Sequence, residues 1–164
     1  MSVTTDILST WRHPRAVFRR WLGTTPREDR ALAVLIAACL LIFVARWPAL
    51  SRQVALAEGQ ADAPGLQALM GINLFALVFV APVLFYALAG LSHLIARALG
   101  GQGRGFSSRM ALFWALLATA PLMLLQGLAA GFLGAGPALT GLGALIGIGF
   151  LTLWLTFLHE AHWR

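Results

Sequence analysis

The sequence predicts an all-α protein, a polytopic integral membrane helical bundle with about four transmembrane helices and an N-terminal amphipathic interfacial segment. Of its 164 residues, 59% are hydrophobic and only 11% are charged, and the mean hydropathy is +0.80. A soluble domain of this composition would lack the polar residues needed to cover its surface. Because each transmembrane helix takes roughly 20 apolar residues, the length suits one small bundle and leaves no room for a second, catalytic domain.

Four apolar stretches predict the membrane spans, at about residues 31–47, 70–92, 110–133 and 142–158. The second stretch is the longest, with 34 residues from Leu66 to Leu99. As one straight helix it would measure about 50 Å against a hydrocarbon thickness of about 30 Å. Pro82 lacks a backbone donor, so we expect a kink there and an extension beyond the bilayer toward Arg97. Together, residues 31–164 form the predicted bundle.

Residues 1–30 predict a cytoplasmic arm that is both amphipathic and basic. Apolar side chains recur at helical spacing on both sides of Pro14 and form one stripe, while arginines occupy the opposite face. Such a segment lies on a membrane with its aromatic rings at headgroup depth. The predicted headgroup contacts are Arg12, Arg15, Arg19, Arg20, Trp11 and Trp21. A charged, partly disordered tail that only fixes orientation is the alternative interpretation.

The distribution of arginine predicts the topology. All twelve basic residues are Arg, and with six acidic residues the formal net charge is +6. Ten of them lie in the arm, in the connector between the second and third spans or at the C-terminus, and only Arg46 and Arg52 lie in the opposite loops. This bias predicts that both termini are cytoplasmic. We expect the membrane to be a cytoplasmic (inner) membrane. Arginines beside apolar segments also favour anionic lipid headgroups as partners and disfavour nucleic acid.

The glycine-rich stretch "ARALGGQGRGFSS", residues 96–108, predicts a cytoplasmic turn between two membrane helices. A phosphate-binding loop needs a Lys for the terminal phosphates, and the sequence contains none. A dinucleotide-binding fingerprint needs a preceding strand and a different glycine spacing. We therefore expect a helix to stop at the double glycine and the next helix to be capped by Ser107 or Ser108. The residues of the predicted turn are Gly100, Gly101, Arg104 and Phe106.

No pattern of side chains predicts a cofactor, a metal or catalysis. His159 and His162 lie three residues apart, whereas a zincin motif separates its histidines by four, and no third ligand is evident. A membrane haem would need two axial histidines on facing helices, and only His93 lies near a predicted span. His93 is either a satisfied interfacial residue or a hydrogen-bonding, quinone-facing one. Acidic residues and Arg are missing from the span centres, which disfavours ion-coupled transport.

Small residues at helical spacing predict close helix packing in the second half of the chain. The third and fourth spans each contain a G-x-x-x-G step, which lets helix backbones approach closely. Because a short Gly-Pro turn joins these spans, we expect them to pair as a tight antiparallel hairpin, with self-association of the chain as the alternative. The predicted packing residues are Gly127, Gly131, Gly143 and Gly147.

Four stretches in this order give the chain a family resemblance: "WRHPRAVFRRWL" in the arm, "RALGGQGRGFSS" in the turn, "MALFWALLATAP" in the third span and "LWLTFLHEAH" in the fourth. The chain resembles bacterial members of the Yip-domain family, membrane proteins named for eukaryotic relatives that interact with Rab GTPases. That family usually has five transmembrane helices. The tyrosine-rich motifs of its trafficking members are not found, since Tyr86 is the single tyrosine.

The resemblance implies a non-enzymatic membrane scaffold or interaction protein that acts through helix packing and through contacts with lipids or other membrane proteins. An alternative from another class is an accessory subunit of a larger bioenergetic complex, respiratory or photosynthetic, in which the small-residue faces dock on a partner. A small transporter is the third hypothesis, because two proline-broken helices are a transporter-like feature.

Overall fold

The computed structural model describes residues 3–23, 26–57 and 64–163 of the chain. All regular structure in these residues is helical, which confirms the predicted fold class. The helices are α1 (Val3–Arg12), α2 (Pro14–Leu22), α3 (Glu28–Leu56), α4 (Leu66–Phe75), α5 (Ala81–Ala98), α6 (Gly105–Leu133) and α7 (Pro137–His162), with a π-helical turn (Ala76–Val80) between α4 and α5.

Four of the described helical segments are long and apolar enough to cross a membrane: Glu28–Leu56, Leu66–Ala98, Gly105–Leu133 and Pro137–His162. Each contains one predicted span. The first continues through Pro48 and ends nine residues beyond the predicted boundary at residue 47. The second is continuous from α4 through the π-helical turn to α5. The wider turn directly precedes Pro82, where the missing backbone donor interrupts the α-helical hydrogen bonding.

Helix α6 is the central element of the bundle. Every residue from position 110 to position 120 is buried, including the large side chains of Phe113 and Trp114. Helices α3, α5 and α7 all pack against α6, and the shorter helices α1 and α2 also contact it. By contrast, only 6% of the most apolar stretch of the second span is buried, against 33% in the first and third spans.

The N-terminal arm packs along the side of the bundle. Phe18 stacks on Phe157 of α7 at 4.8 Å between ring centroids, and the indole N–H of Trp11 donates to the carbonyl of Ala118 at 3.2 Å. Ala118 lies 13 residues along α6 from Gly105, which is about 20 Å of helix. The arm was predicted to lie on the membrane, but the part of its apolar stripe in α2, with Phe18 and Trp21, is buried against aromatic residues of α6 and α7.

Arg52 of α3 lies at the end of the bundle where α6 turns into α7. Its Nη1 atom donates to the carbonyls of Gly131 at 3.3 Å and Phe132 at 3.4 Å. These carbonyls lie in the last turn of α6, where a helix has no backbone donors left to satisfy them. The arginine therefore caps α6 beside Gly134, which has a positive φ of 75° at the start of the turn into α7.

Candidate functional site

Two buried carboxylates hold the arm to the bundle. Asp6 is 8% exposed and accepts hydrogen bonds from Nη2 of Arg20 at 2.8 Å and from Nε1 of Trp21 at 3.0 Å. Glu160, near the end of α7, is equally buried and accepts from Nε of Arg19 at 2.6 Å. Since a buried carboxylate is costly without a compensating partner, these contacts position the arm.

These contacts correct part of the predicted lipid interface. Arg19 and Arg20 are engaged with carboxylates of the chain itself. Trp21 is 7% exposed and stacks on Trp114 at 4.0 Å between ring centroids, with the guanidinium of Arg30 over its ring at 3.9 Å. The reason is that Trp21 faces α6, where the burial of a large ring and an available acceptor for its N–H favour packing inside the protein.

A buried hydrogen-bond chain through Thr10 was missed by sequence reasoning. The indole N–H of Trp114 donates to Oγ1 of Thr10 at 3.1 Å, and that hydroxyl donates to the carbonyl of Asp6 at 2.7 Å. Asp6 and Thr10 are four residues apart and so share one face of α1. The available signal was this pair of polar residues on one face of α1, because a tryptophan buried in the apolar α6 needs an acceptor for its indole N–H.

The other predicted headgroup contacts are exposed, although the indole of Trp11 also bonds to α6. Arg12 and Arg15 are exposed, and within the described residues neither makes an ion pair or a hydrogen bond from its side chain. Trp11 is 42% exposed, and Leu8 beside it is 72% exposed. Contact of this surface with lipid headgroups stays a prediction.

The predicted turn between the second and third spans begins with a Schellman motif. The N–H of Gly101 donates to the carbonyl of Ala96 at 2.9 Å, and the N–H of Gly100 donates to that of Arg97 at 3.1 Å. Gly100 has a φ of +88°, the left-handed conformation that this motif requires and that glycine adopts without strain. The helix stop expected at the double glycine is therefore present.

The start of α6 differs from the prediction. The helix begins at Gly105 with Arg104 as its exposed N-cap residue, and no side chain caps it. The expected cap by Ser107 or Ser108 is wrong. Ser108 lies inside the helix, and its Oγ is hydrogen-bonded to Nε2 of the buried His162 at 2.7 Å. Phe106, assigned by sequence to the turn, belongs to the first turn of α6 and is buried.

The turn is docked on the end of α7. The N–H of Gln102 donates to the carbonyl of His162 at 2.9 Å. A methyl group at Gly101 would lie 2.9 Å from Cβ of His162, and one at Gly103 would overlap the carbonyl of Ala161. These glycines therefore permit a close approach of two backbones, and they keep the turn fixed against the bundle.

An open cavity of about 550 Å³ lies between the end of α5 and the start of α6. His93 and Arg97 line it from α5, and residues 101–105 line it from the turn. Among the residues that line it there is no acidic side chain. The cavity is thus a basic recess at the end of two membrane helices.

The G-x-x-x-G steps pack differently from the expected hairpin. A methyl group at Gly127 would overlap the carbonyl of Ala45, and one at Gly131 would lie 2.6 Å from Cβ of Pro48, so both glycines face α3. In α7, Gly143 contacts the side chain of Gln126, while Gly147 has open space around it. Helices α6 and α7 are neighbours, as the predicted hairpin requires, but their two glycine steps do not face each other, because α6 turns Gly127 and Gly131 toward α3.

The histidines gather in a way that the sequence did not reveal. The ring centroid of His93 lies 5.3 Å from that of His162, the last residue of α7. His159 is exposed and stacks on Trp163. No cluster of three or more His, Cys, Asp or Glu side chains occurs in the described part of the chain. Their proximity depends on the docking of the turn on α7.

Four apolar helices, three of which pack against the buried segment of α6, define a polytopic integral membrane protein. The chain belongs to the Yip1 domain family, whose family model matches residues 8–164. The family resemblance inferred from the sequence is therefore confirmed over nearly the whole chain. Comparisons with curated proteins and with solved structures gave no significant match.

Proposed function

We propose that this protein is a non-catalytic membrane interaction protein, which binds another membrane protein through its second span and anionic lipid through the exposed arginines of its arm. The observation that carries the proposal is the low burial of that span. Only 6% of its most apolar stretch is buried. In the first half of this span Phe75 and Phe79 stack on each other while both are at least 60% exposed. Aromatic residues are enriched where protein surfaces meet.

The positive-inside bias supports the predicted orientation, with both termini in the cytoplasm and the protein in a bacterial inner membrane. In the structure, the turn at Gln102 and the end of α7 at His162 lie at the same end of the bundle, joined by a hydrogen bond. The turn and the described end of α7 therefore share one end of the bundle, which supports this orientation.

Purification of the tagged chain from its native membrane in a mild detergent tests this function. We expect a membrane protein of another kind to be recovered in a fixed ratio to the chain. Recovery of a haem- or pigment-bearing complex would favour the alternative, an accessory subunit of a bioenergetic complex. A homo-oligomer that binds only lipid would contradict both, and solute flux in liposomes would favour the transporter hypothesis.

A further inference from the structure

We propose that the cavity between α5 and α6 binds a phosphate group, carried either by a phospholipid headgroup or by a small molecule in solution. This inference goes beyond the proposed function, since it concerns neither the second span's exposed face nor the arm. The wall of the cavity combines two guanidinium groups, one imidazole and an uncapped helix start, contributed by Arg97, Arg104, His93 and Gly105.

Among the described residues, the charges around the cavity have no counter-ion. Each carboxylate of the described residues is already paired with an arginine elsewhere: Asp6 with Arg20, Glu28 with Arg109, Asp29 with Arg27 and Glu160 with Arg19. Arg97 and Arg104 are exposed, and their side chains form no ion pair or hydrogen bond in the part of the chain described. Two guanidinium groups on one recess repel each other, and a bound anion removes that repulsion. Phosphate suits them because its oxygens match the planar donors of arginine in bidentate geometry.

The backbone adds donors to the same wall. The N–H groups of Gly103, Arg104 and Gly105 donate no hydrogen bond within the described residues. Arg104 and Gly105 stand at the N-terminus of α6, a helix of 29 residues, where the helix dipole favours negative charge. Residues with unbonded backbone amides and residues with arginine side chains thus line the same recess.

The recess is also preorganised. The Schellman motif at Gly100 fixes the turn to α5, and the hydrogen bond from Gln102 fixes it to α7. Because the turn does not need to be ordered on binding, little conformational entropy is lost. The site lies where two predicted spans end, which is the depth of lipid phosphates.

The test uses the full chain purified in detergent, with phosphatidylglycerol titrated by native mass spectrometry and inorganic phosphate titrated by calorimetry. The variants are Arg104→Gln and the double variant Arg97→Gln/Arg104→Gln. The control is Arg46→Gln, which removes the same charge from an exposed position on α3, away from the cavity. Thermal unfolding of every variant establishes that it is folded.

We expect the double variant to bind at least about tenfold more weakly, the single variant to be intermediate and the control to match the parent. If phosphatidylglycerol shows this pattern and inorganic phosphate does not bind, the ligand is a lipid headgroup. If inorganic phosphate shows it, the ligand is a soluble phosphate compound. Equal weakening by Arg46→Gln, or no dependence on Arg97 and Arg104 with either probe, would overturn the site.

Discussion

Asp6 anchors the arm by accepting hydrogen bonds from two groups of α2, the guanidinium of Arg20 and the indole of Trp21. The arrangement lets one carboxylate satisfy a buried indole N–H and balance a charge. Asp29, by contrast, pairs with Arg27 where both side chains are about two-thirds exposed. The same residue type therefore has two different energetic roles, because water screens the second pair more strongly than the first.

The substitution Asp6→Ala is expected to destabilise the protein by about 2 kcal/mol, because it leaves the N–H of Trp21 buried without a partner. Asp29→Ala, its matched control, is expected to leave stability nearly unchanged, because its ion pair is exposed to water. Thermal unfolding in detergent, followed by tryptophan fluorescence, measures both. Equal effects of the two variants would mean that the arm is not packed as described.

At the scale of the helical elements, α6 fixes the architecture by presenting different residues to different neighbours. Gly127 and Gly131 bring its second half against α3. In its first half, Trp114 contacts Trp21 of the arm, and Phe113 contacts Tyr86 of α5. The G-x-x-x-G step of α6 therefore packs against α3, whereas Gly147 in the step of α7 faces open space.

This difference gives a matched pair of variants. Gly127→Ala places a methyl group onto the carbonyl of Ala45, so we expect a loss of about 1–3 kcal/mol as α3 is displaced. Gly147→Ala meets open space in the middle of α7, so we expect no loss and a gain of up to about 1 kcal/mol from helix propensity. Unfolding midpoints in detergent compare them. A larger loss at Gly147 would contradict the observed packing and restore the predicted glycine hairpin.

The number and order of the membrane helices could be predicted because apolar runs of sufficient length have few alternatives in a bilayer. The helix stop at the double glycine was likewise predictable from local chemistry. Which face of α6 meets which helix was not, because its glycines fit against any close neighbour. The packing of the arm was also beyond local rules, since Phe18 meets Phe157 only after the whole bundle is assembled.

The candidate site, too, could be predicted from the sequence only in part. The glycines and Arg104 of the turn were identified from sequence, because a polar stretch between two apolar runs is conspicuous. The contributions of His93 and Arg97 to the same recess require the Schellman reversal of the chain at Gly100. His162 adds a neighbour from the far end of the sequence.

At the scale of the whole molecule, the arginine bias predicts that both ends of the chain are cytoplasmic. A fluorescent protein fused to either terminus is expected to fluoresce, and alkaline phosphatase inserted at Gly136, in the turn between α6 and α7, is expected to be active. Phosphatase activity from a fusion at the C-terminus would reverse the orientation. An odd number of crossings would be indicated by opposite results at the two termini.

The central claim is that the exposed second span is a surface for another membrane protein. Photo-cross-linking in native membranes tests it most directly, with a benzoyl-phenylalanine replacing Phe79 on that span and, as the control, replacing the fully buried Phe113. We expect the probe at position 79 to form a covalent adduct with a membrane protein of another kind and the probe at position 113 to form none. Adducts with lipid alone at position 79 would contradict it.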